Sequence, residues 1–211
     1  AKLADRLIFD SESADSLLNF AKKTIKLHEE GHDIADLNWG RTEQWRDLIA
    51  SLFHSGEMLE QIEEVRFTYN AKKTESFCHL KVQSMYLLGW LSSRLNWKFQ
   101  KATKDLHFAF EHQKAEIKDV EWEKLGSGSI ISVDIATQDG HLFQCARIPQ
   151  QYHRVLIQTS SSIKCELPFG YFLGKTATGQ TLVKEIITQG TSSHYIEMLK
   201  KMIELDRDKL C

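Results

Sequence analysis

The strongest indication of the fold lies in residues 131–148, which read ISVDIATQDGHLFQCARI. Ile131, Val133 and Ile135 alternate with other residues, as in a β-strand that buries one face. Asp139-Gly140 separates this run from residues 142–148, and both residues tolerate the positive φ of a tight hairpin turn. The segment therefore predicts two antiparallel strands joined by a short turn.

Further strand patterns lie on both sides of this hairpin. Leu106, Phe108 and Phe110 alternate before it. After it, residues 155–158 and 163–167 flank a serine run at 160–162, which predicts a second hairpin. Residues 114–124 fit helix and strand patterns equally, and 126–129 (GSGS) reads as a loop. The second half is therefore predicted to be an antiparallel meander.

The first half predicts helices alternating with strands. A short apolar run at 7–9 is followed by Asp10, Ser11 and Ser13, three candidate helix N-caps. Helical spacing then predicts a helix from Ala14 to about Gly31 and another over 45–53 that Gly56 ends. The remaining elements are predicted from the same patterns: a strand over 65–69, a helix over 80–95, a helix capped by Thr178 that carries Leu182, Val183, Ile186 and Ile187, and a closing helix that carries Ile196, Leu199, Met202 and Ile203.

The predicted fold class is mixed α/β: a mixed β-sheet with an α/β first half (1–103) and an antiparallel, hairpin-rich second half (104–211), covered by helices. We expect one continuous domain, because no linker separates the halves near Lys104. The first residue is alanine, so we also expect an upstream portion that this chain lacks.

Composition narrows the class of protein. The 211 residues carry 27 Lys and Arg against 29 Asp and Glu, a net charge of -2, which does not favour nucleic acid as a partner. No apolar run approaches the roughly 20 residues that span a membrane. The four cysteines (Cys78, Cys145, Cys165 and Cys211) are far apart, as is ordinary in a reducing cytoplasm. We assign them no redox role.

Two motifs resemble catalytic or ligand-binding sites but lack their full pattern. Residues 28–32 read HEEGH, the spacing of a zinc-binding helix, yet the helical pattern ends at Gly31 and leaves His32 outside. Residues 170–176 approach a phosphate-binding loop, but Phe169 stands where that motif needs glycine. We therefore expect no catalytic residue, no metal and no cofactor.

Tryptophan and arginine cluster in residues 36–46, which read DLNWGRTEQWR. These residue types are enriched where protein interfaces gain most of their affinity. They can equally build the core, and spacing alone leaves both readings open. The candidate partner-binding residues are Trp39, Arg41, Arg46 and Arg94, and the candidate structural residues are Asp36, Trp45, Gly89 and Trp90.

The segment 36–46 resembles the signature D-L-x-W-x-R-x-x-x-W-R of the glucose-6-phosphate dehydrogenase assembly protein family, OpcA. Residues 87–97, LLGWLSSRLNW, resemble its second signature, and residues 6–11 resemble its opening strand. The resemblance implies a non-catalytic, cytoplasmic partner that helps glucose-6-phosphate dehydrogenase assemble or activates it allosterically. It also implies an α/β portion upstream of the opening strand. The chain's own oligomeric state stays open.

A second hypothesis comes from the predicted topology. In α/β folds, ligands bind at the carboxyl ends of the strands. A nucleotide or sugar phosphate at the helix start near Ser11 or Ser13 would make the chain a small-ligand sensor or an enzyme.

Overall fold

The computed structural model describes residues 6–53, 55–75, 79–174 and 179–205. These residues form a two-stranded sheet, an eight-stranded sheet and the helices that pack on them. The strands are β1 (Arg6–Phe9), β2 (Asp33–Asp36), β3 (Ile62–Asn70), β4 (Phe99–Ala102), β5 (His107–Phe110), β6 (Lys114–Val120), β7 (Ile130–Thr137), β8 (Leu142–Ile148), β9 (Gln151–Ser160) and β10 (Phe169–Phe172). The α-helices are α1 (Leu17–Glu29), α2 (Leu37–Arg41), α3 (Glu43–Ser51), α4 (Gly56–Glu60), α5 (Val82–Arg94), α6 (Gln180–Ile187) and α7 (Ser193–Leu205).

The large sheet has the order β10-β9-β8-β7-β3-β6-β5-β4, and the small one pairs β1 with β2 in parallel. β3, from the first half of the chain, lies between β7 and β6 of the second half. It runs antiparallel to β7 and parallel to β6. The predicted mixed sheet is thus confirmed, but the meander was wrong at β6. A parallel partner from a distant segment leaves no turn signal in the local sequence.

The first predicted hairpin is confirmed and the second is different. β7 and β8 pair antiparallel, and Gly140 adopts a φ of 83° in the turn between them. After the serine run the chain turns back on β9 and forms a single bridge between Ser160 and Cys165, but continuous pairing with β9 begins only at Phe169. Ile163 and Leu167 are 95% and 92% exposed, so this run has no buried face to hold it against the sheet.

Helix boundaries follow local capping. The Ser16 side chain accepts a hydrogen bond from the Asn19 amide, so α1 begins at Leu17 and not at Ala14. Gly56 opens α4, with Ser55 as its cap, instead of ending the preceding helix. Thr178, the predicted cap of α6, lies outside the described residues. No helix in the described ranges is both long and apolar enough to cross a lipid bilayer.

One face of the large sheet is covered by helices and carries the core. α5 is buried on several sides, as its sequence predicts, and packs against α7. Gly89 lies at their contact: a Cβ there would meet Met198 Cγ and Met202 Cγ, each at 3.2 Å. The largest side chains sealed in this core are Trp45, Tyr86, Tyr195, Phe67 and Phe108.

We expect Gly89→Leu to lower the free energy of unfolding by about 3 kcal/mol, because a large side chain would force α5 and α7 apart. Gly89→Ala is the control. Its methyl group would meet Met198 Cγ and Met202 Cγ at 3.2 Å, so the neighbours need to shift by only a few tenths of an ångström, and alanine favours the helix by about 1 kcal/mol. Urea denaturation of both variants measures this difference. A leucine variant as stable as the alanine variant would rule out the close contact.

Candidate functional site

A cleft of about 390 Å³ lies between α2, α3, α5, α6 and the start of α7. Trp39, Arg46 and Arg94 line it, three of the four residues predicted to bind a partner. Trp90, predicted to be structural, lines it as well. The cleft therefore joins both sequence signatures on one surface.

Local capping places Trp39 and Arg46 against each other. Asp36 caps α2 by accepting from the Asn38 amide at 2.9 Å, and Thr42 links α2 to α3. Arg46 Nη1 donates to Trp39 O at 2.7 Å and to Thr42 Oγ1 at 2.6 Å. The guanidinium carbon lies 3.5 Å from the centre of the Trp39 ring, a cation–π contact. The side chain of Arg46 is therefore held in one orientation.

The other edge of the Arg46 guanidinium is open. Within the described residues, Nε and Nη2 donate to no group, and neither atom is sealed from solvent. No carboxylate in these ranges lies within 4.0 Å of it. Burial lowers the pKa of Arg46 to about 10, partly offset by Glu43, Asp47 and Glu185, so the group stays charged at neutral pH. The cleft thus holds a preorganised, unpaired cation.

Arg41 and Arg94 differ from Arg46 in having counter-ions. Arg41 pairs with Asp10 at 3.1 Å and Glu12 at 3.2 Å, and does not line the cleft. Arg94 lies at the rim and pairs with Glu197 at 3.1 Å in an exposed contact. Among the arginines of the two signatures, Arg46 is therefore the one best placed to gain a charge partner.

A buried network holds the signature in place. Asp36 is 0% exposed and accepts from Tyr86 Oη at 2.5 Å and Tyr195 Oη at 3.1 Å. Burial raises the pKa of Asp36, although these hydrogen bonds oppose the shift. Burial and the Asp36 carboxylate also raise the pKa values of both tyrosines. Asp36 thereby ties β2 to α5 and α7, which fits a structural role, as does the burial of Trp45.

The strand ends that could hold a phosphate are occupied by acidic side chains. After β1, residues 11–13 form a single 3₁₀ turn capped by the Asp10 carboxylate. Glu12 and Asp36 lie beside it, both almost fully buried. Burial raises the pKa of Glu12, and the charge of Arg41 opposes that shift. These carboxylates disfavour an anionic ligand near Ser11 or Ser13.

The remaining motifs bring no reactive group into the cleft. α1 ends at Glu29, so His32 lies beyond the helix that carries His28. In the ranges that the structure describes, no three His, Cys, Asp or Glu side chains are grouped to hold a metal. Burial raises the pKa of the Cys145 thiol to about 12, whereas Cys165 is exposed. Cys78, Lys175, Thr176 and Cys211 lie outside the described residues.

Helix α6 supplies a feature that sequence reasoning missed. Its polar side holds it to the rest of the fold: Glu185 is 9% exposed and pairs with Arg6 at 2.9 Å, and the exposed Lys184 pairs with Glu43. At Gly40 of α2, a Cβ would lie 2.6 Å from Thr181 Cγ2, so this glycine permits the close approach. The apolar stripe points outward, with Leu182 42%, Val183 58%, Ile186 60% and Ile187 74% exposed. The cleft itself is lined by Lys184 and Glu185, on the polar side of this helix.

The Arg6–Asp33 pair anchors this region. Arg6 Nη1 lies 2.8 Å from both Asp33 oxygens, while Arg6 Nη2 holds Glu185 of α6. Desolvation raises the pKa of Asp33, but hydrogen bonds from Arg6, Gly190 and Thr191 outweigh it and lower the pKa below its ordinary 3.8.

We expect Asp33→Asn to lower the free energy of unfolding by about 1 kcal/mol at neutral pH. The ionised carboxylate stabilises the fold above its ordinary pKa of 3.8, and this stabilisation is lost as pH falls through the lower folded pKa. The difference from wild type should therefore shrink below pH 3.8. Urea unfolding across this range measures it, and a difference that grows in acid would contradict the assignment.

Comparison with known protein families assigns the chain. A family described as the C-terminal domain of a glucose-6-phosphate dehydrogenase subunit matches residues 32–209. The chain belongs to this family. The OxPP cycle protein OpcA of Nostoc punctiforme is 28% identical over 151 residues, which cover 65% of this chain and 31% of that protein. Its namesake from a Synechocystis species is 31% identical over 97 residues, covering 44% of this chain and 19% of that protein.

These matches confirm the resemblance that the two signatures carry. The chain spans 31% and 19% of the lengths of these two curated relatives. The function of those longer proteins is therefore considered for this chain only as a proposal.

Solved structures share the fold at very low sequence identity. A 3-ketoreductase, KijD10 from Actinomadura kijaniata, has a TM-score of 0.56 at 6% identity, covering 88% of this chain and 63% of that one. The UDP-N-acetylglucosamine 3-dehydrogenase GnnA from Acidithiobacillus ferrooxidans has a TM-score of 0.54 at 9% identity, covering 94% and 69%. At such low identity, the similarity shows a shared fold and says nothing about the activity of this chain.

Proposed function

We propose that this chain is a non-catalytic, cytoplasmic partner of glucose-6-phosphate dehydrogenase that favours the enzyme's active oligomer. The family and the names of the curated relatives support an association with this enzyme and its pathway. The observation that carries the proposal is a docking surface in two parts, on the outer side of α6 and in the cleft. It consists of the outward stripe of α6 (Leu182, Val183, Ile186, Ile187) and the cleft residues Trp39, Trp90, Arg46 and Arg94.

The docking surface has the chemistry of a protein interface. A helix that turns its apolar side to water loses the gain of roughly 25 cal/mol per Å² that burial would give. Contiguous exposed apolar patches on soluble proteins mark interaction sites. In the cleft, Trp39 and Arg46 offer rigid contact area and directed hydrogen-bond donors. A protein surface therefore fits this region better than a small solute does.

Activation follows from differential binding. A partner that binds the active oligomer more tightly than the inactive form shifts the equilibrium between them by that difference. A preference of about 2–3 kcal/mol changes the population ratio roughly 30- to 150-fold. In this mechanism, no residue of the chain touches substrate.

Steady-state kinetics of the dehydrogenase from the same organism test the function. We expect a higher rate or a lower apparent KM when this chain is added, and a larger active oligomer by light scattering. The same assay is repeated with a full-length relative. If neither changes the kinetics or the oligomer, the proposal is wrong. Stabilisation of the isolated chain by NADP or glucose 6-phosphate would instead favour the small-ligand hypothesis.

A further inference from the structure

We propose that the cleft is a carboxylate receptor, in which the open edge of Arg46 binds one Asp or Glu side chain of the dehydrogenase. This inference rests on the proposed function and names the group that the docking surface recognises. Arg46 Nη1 donates hydrogen bonds to Trp39 O and Thr42 Oγ1. The contact of the guanidinium with the Trp39 ring fixes the plane of the group.

The geometry of the open edge of Arg46 fits a carboxylate. Nε and Nη2 are parallel donors that match the two oxygens of a carboxylate. Because internal contacts already hold the Arg46 side chain, binding would cost it little additional conformational entropy. An unpaired, half-buried cation also gains more from a counter-ion than an exposed one does.

The acidic neighbours of Arg46 do not fill this role. Glu185 is engaged by Arg6 and Glu43 by Lys184, and neither lies within ion-pair distance of Arg46. Asp47 is exposed and acts on Arg46 only at longer range. Within the described residues, the open edge of Arg46 is therefore free to accept a carboxylate of a partner.

The pairing of the cleft's charges favours a single negative charge at Arg46. Four cations line the cleft (Arg6, Arg46, Arg94 and Lys184), and all but Arg46 pair with carboxylates of the described residues. One carboxylate would pair with Arg46, whereas a phosphate dianion would bring a second negative charge close to Glu43, Asp47 and Glu185. The exposed apolar stripe on the outer side of α6 offers further area that a protein partner can cover and a free anion cannot.

Charge reversal at Arg46 tests the receptor. We expect Arg46→Glu to weaken binding of the dehydrogenase about 100-fold, and Arg46→Lys about 10-fold because lysine cannot bind in a bidentate manner. Arg154→Glu is the matched control, since it makes the same charge change at an exposed position on β9 outside the docking surface. Affinities are measured by isothermal titration calorimetry, and melting temperatures show that each variant is folded.

Rescue separates recognition from a structural role of Arg46. Each exposed Asp and Glu of the dehydrogenase is replaced by arginine in turn, and one replacement should restore at least 10-fold of the affinity that Arg46→Glu loses. Absence of any rescue, or an Arg46→Glu variant that binds like wild type, would overturn the inference while the proposed function stands. If the wild-type chain does not bind the enzyme at all, both fail. Titration of the isolated chain with inorganic phosphate completes the set: saturable binding that Arg46→Glu abolishes would identify a free-anion site instead.

Discussion

Asp36→Ala is expected to lower the free energy of unfolding by about 4 kcal/mol. The Asp36 carboxylate is fully buried, and its Oδ2 accepts from Tyr86 and Tyr195 while its Oδ1 accepts from Ser11 and Asn38. Alanine would leave these donors buried without an acceptor and leave a cavity among them. Urea denaturation followed by circular dichroism measures the loss.

Asp36→Asn is the graded control for this prediction. The amide oxygen can still accept from Ser11 and from the Asn38 backbone, but the Oδ2 acceptor of both tyrosines is replaced by a donor. We expect a loss of about 2 kcal/mol, between wild type and alanine. An alanine variant that unfolds at the wild-type urea concentration would show that this network does not hold the signature in place.

The double substitution Ile186→Asp and Ile187→Asp is expected to weaken binding of the dehydrogenase about 100-fold and leave the fold intact. Both side chains are exposed, at 60% and 74%, so charge there costs the free chain little. Because each side chain is already partly buried in the free chain, each would lose roughly 1–2 kcal/mol of apolar burial in the complex. Calorimetric titration measures the affinity, and thermal melting measures the fold.

Ile163→Asp and Leu167→Asp form the matched control pair. These residues are even more exposed, at 95% and 92%, but lie between β9 and β10, away from α6. The control pair should bind like wild type. If it loses affinity and the α6 pair does not, the docking surface lies on the β9–β10 connection instead.

Local patterns predicted the elements whose partners are near in sequence. The Asp139-Gly140 hairpin and the helices α5 and α7 follow from alternation, helical spacing and turn chemistry. The parallel pairing of β3 with β6 does not, because the two strands are joined by a long crossover and no residue marks their register. The start of β10 was missed because an apolar run predicts a strand whether or not a sheet buries it.

The candidate site was predicted only in part, because spacing identifies residues that are close in sequence but not their distant partners. The spacing of Trp39 and Arg46 in one signature and Arg94 in the other gave residues that share one cleft. It could not show that Arg41 faces Asp10 and Glu12, which lie some 30 positions earlier. The sequence of α6 also could not show that its apolar stripe faces solvent, because an amphipathic pattern identifies an apolar side without saying what covers it.

Association with the dehydrogenase is tested most directly by sedimentation velocity on the mixed proteins at micromolar concentration. The purified enzyme is combined with the wild-type chain, with the Ile186→Asp/Ile187→Asp variant, or with the Ile163→Asp/Leu167→Asp control. We predict a faster-sedimenting complex with the wild-type chain and the control, and unchanged separate boundaries with the α6 variant. Separate boundaries in all three mixtures, with every chain folded, would contradict the proposed association.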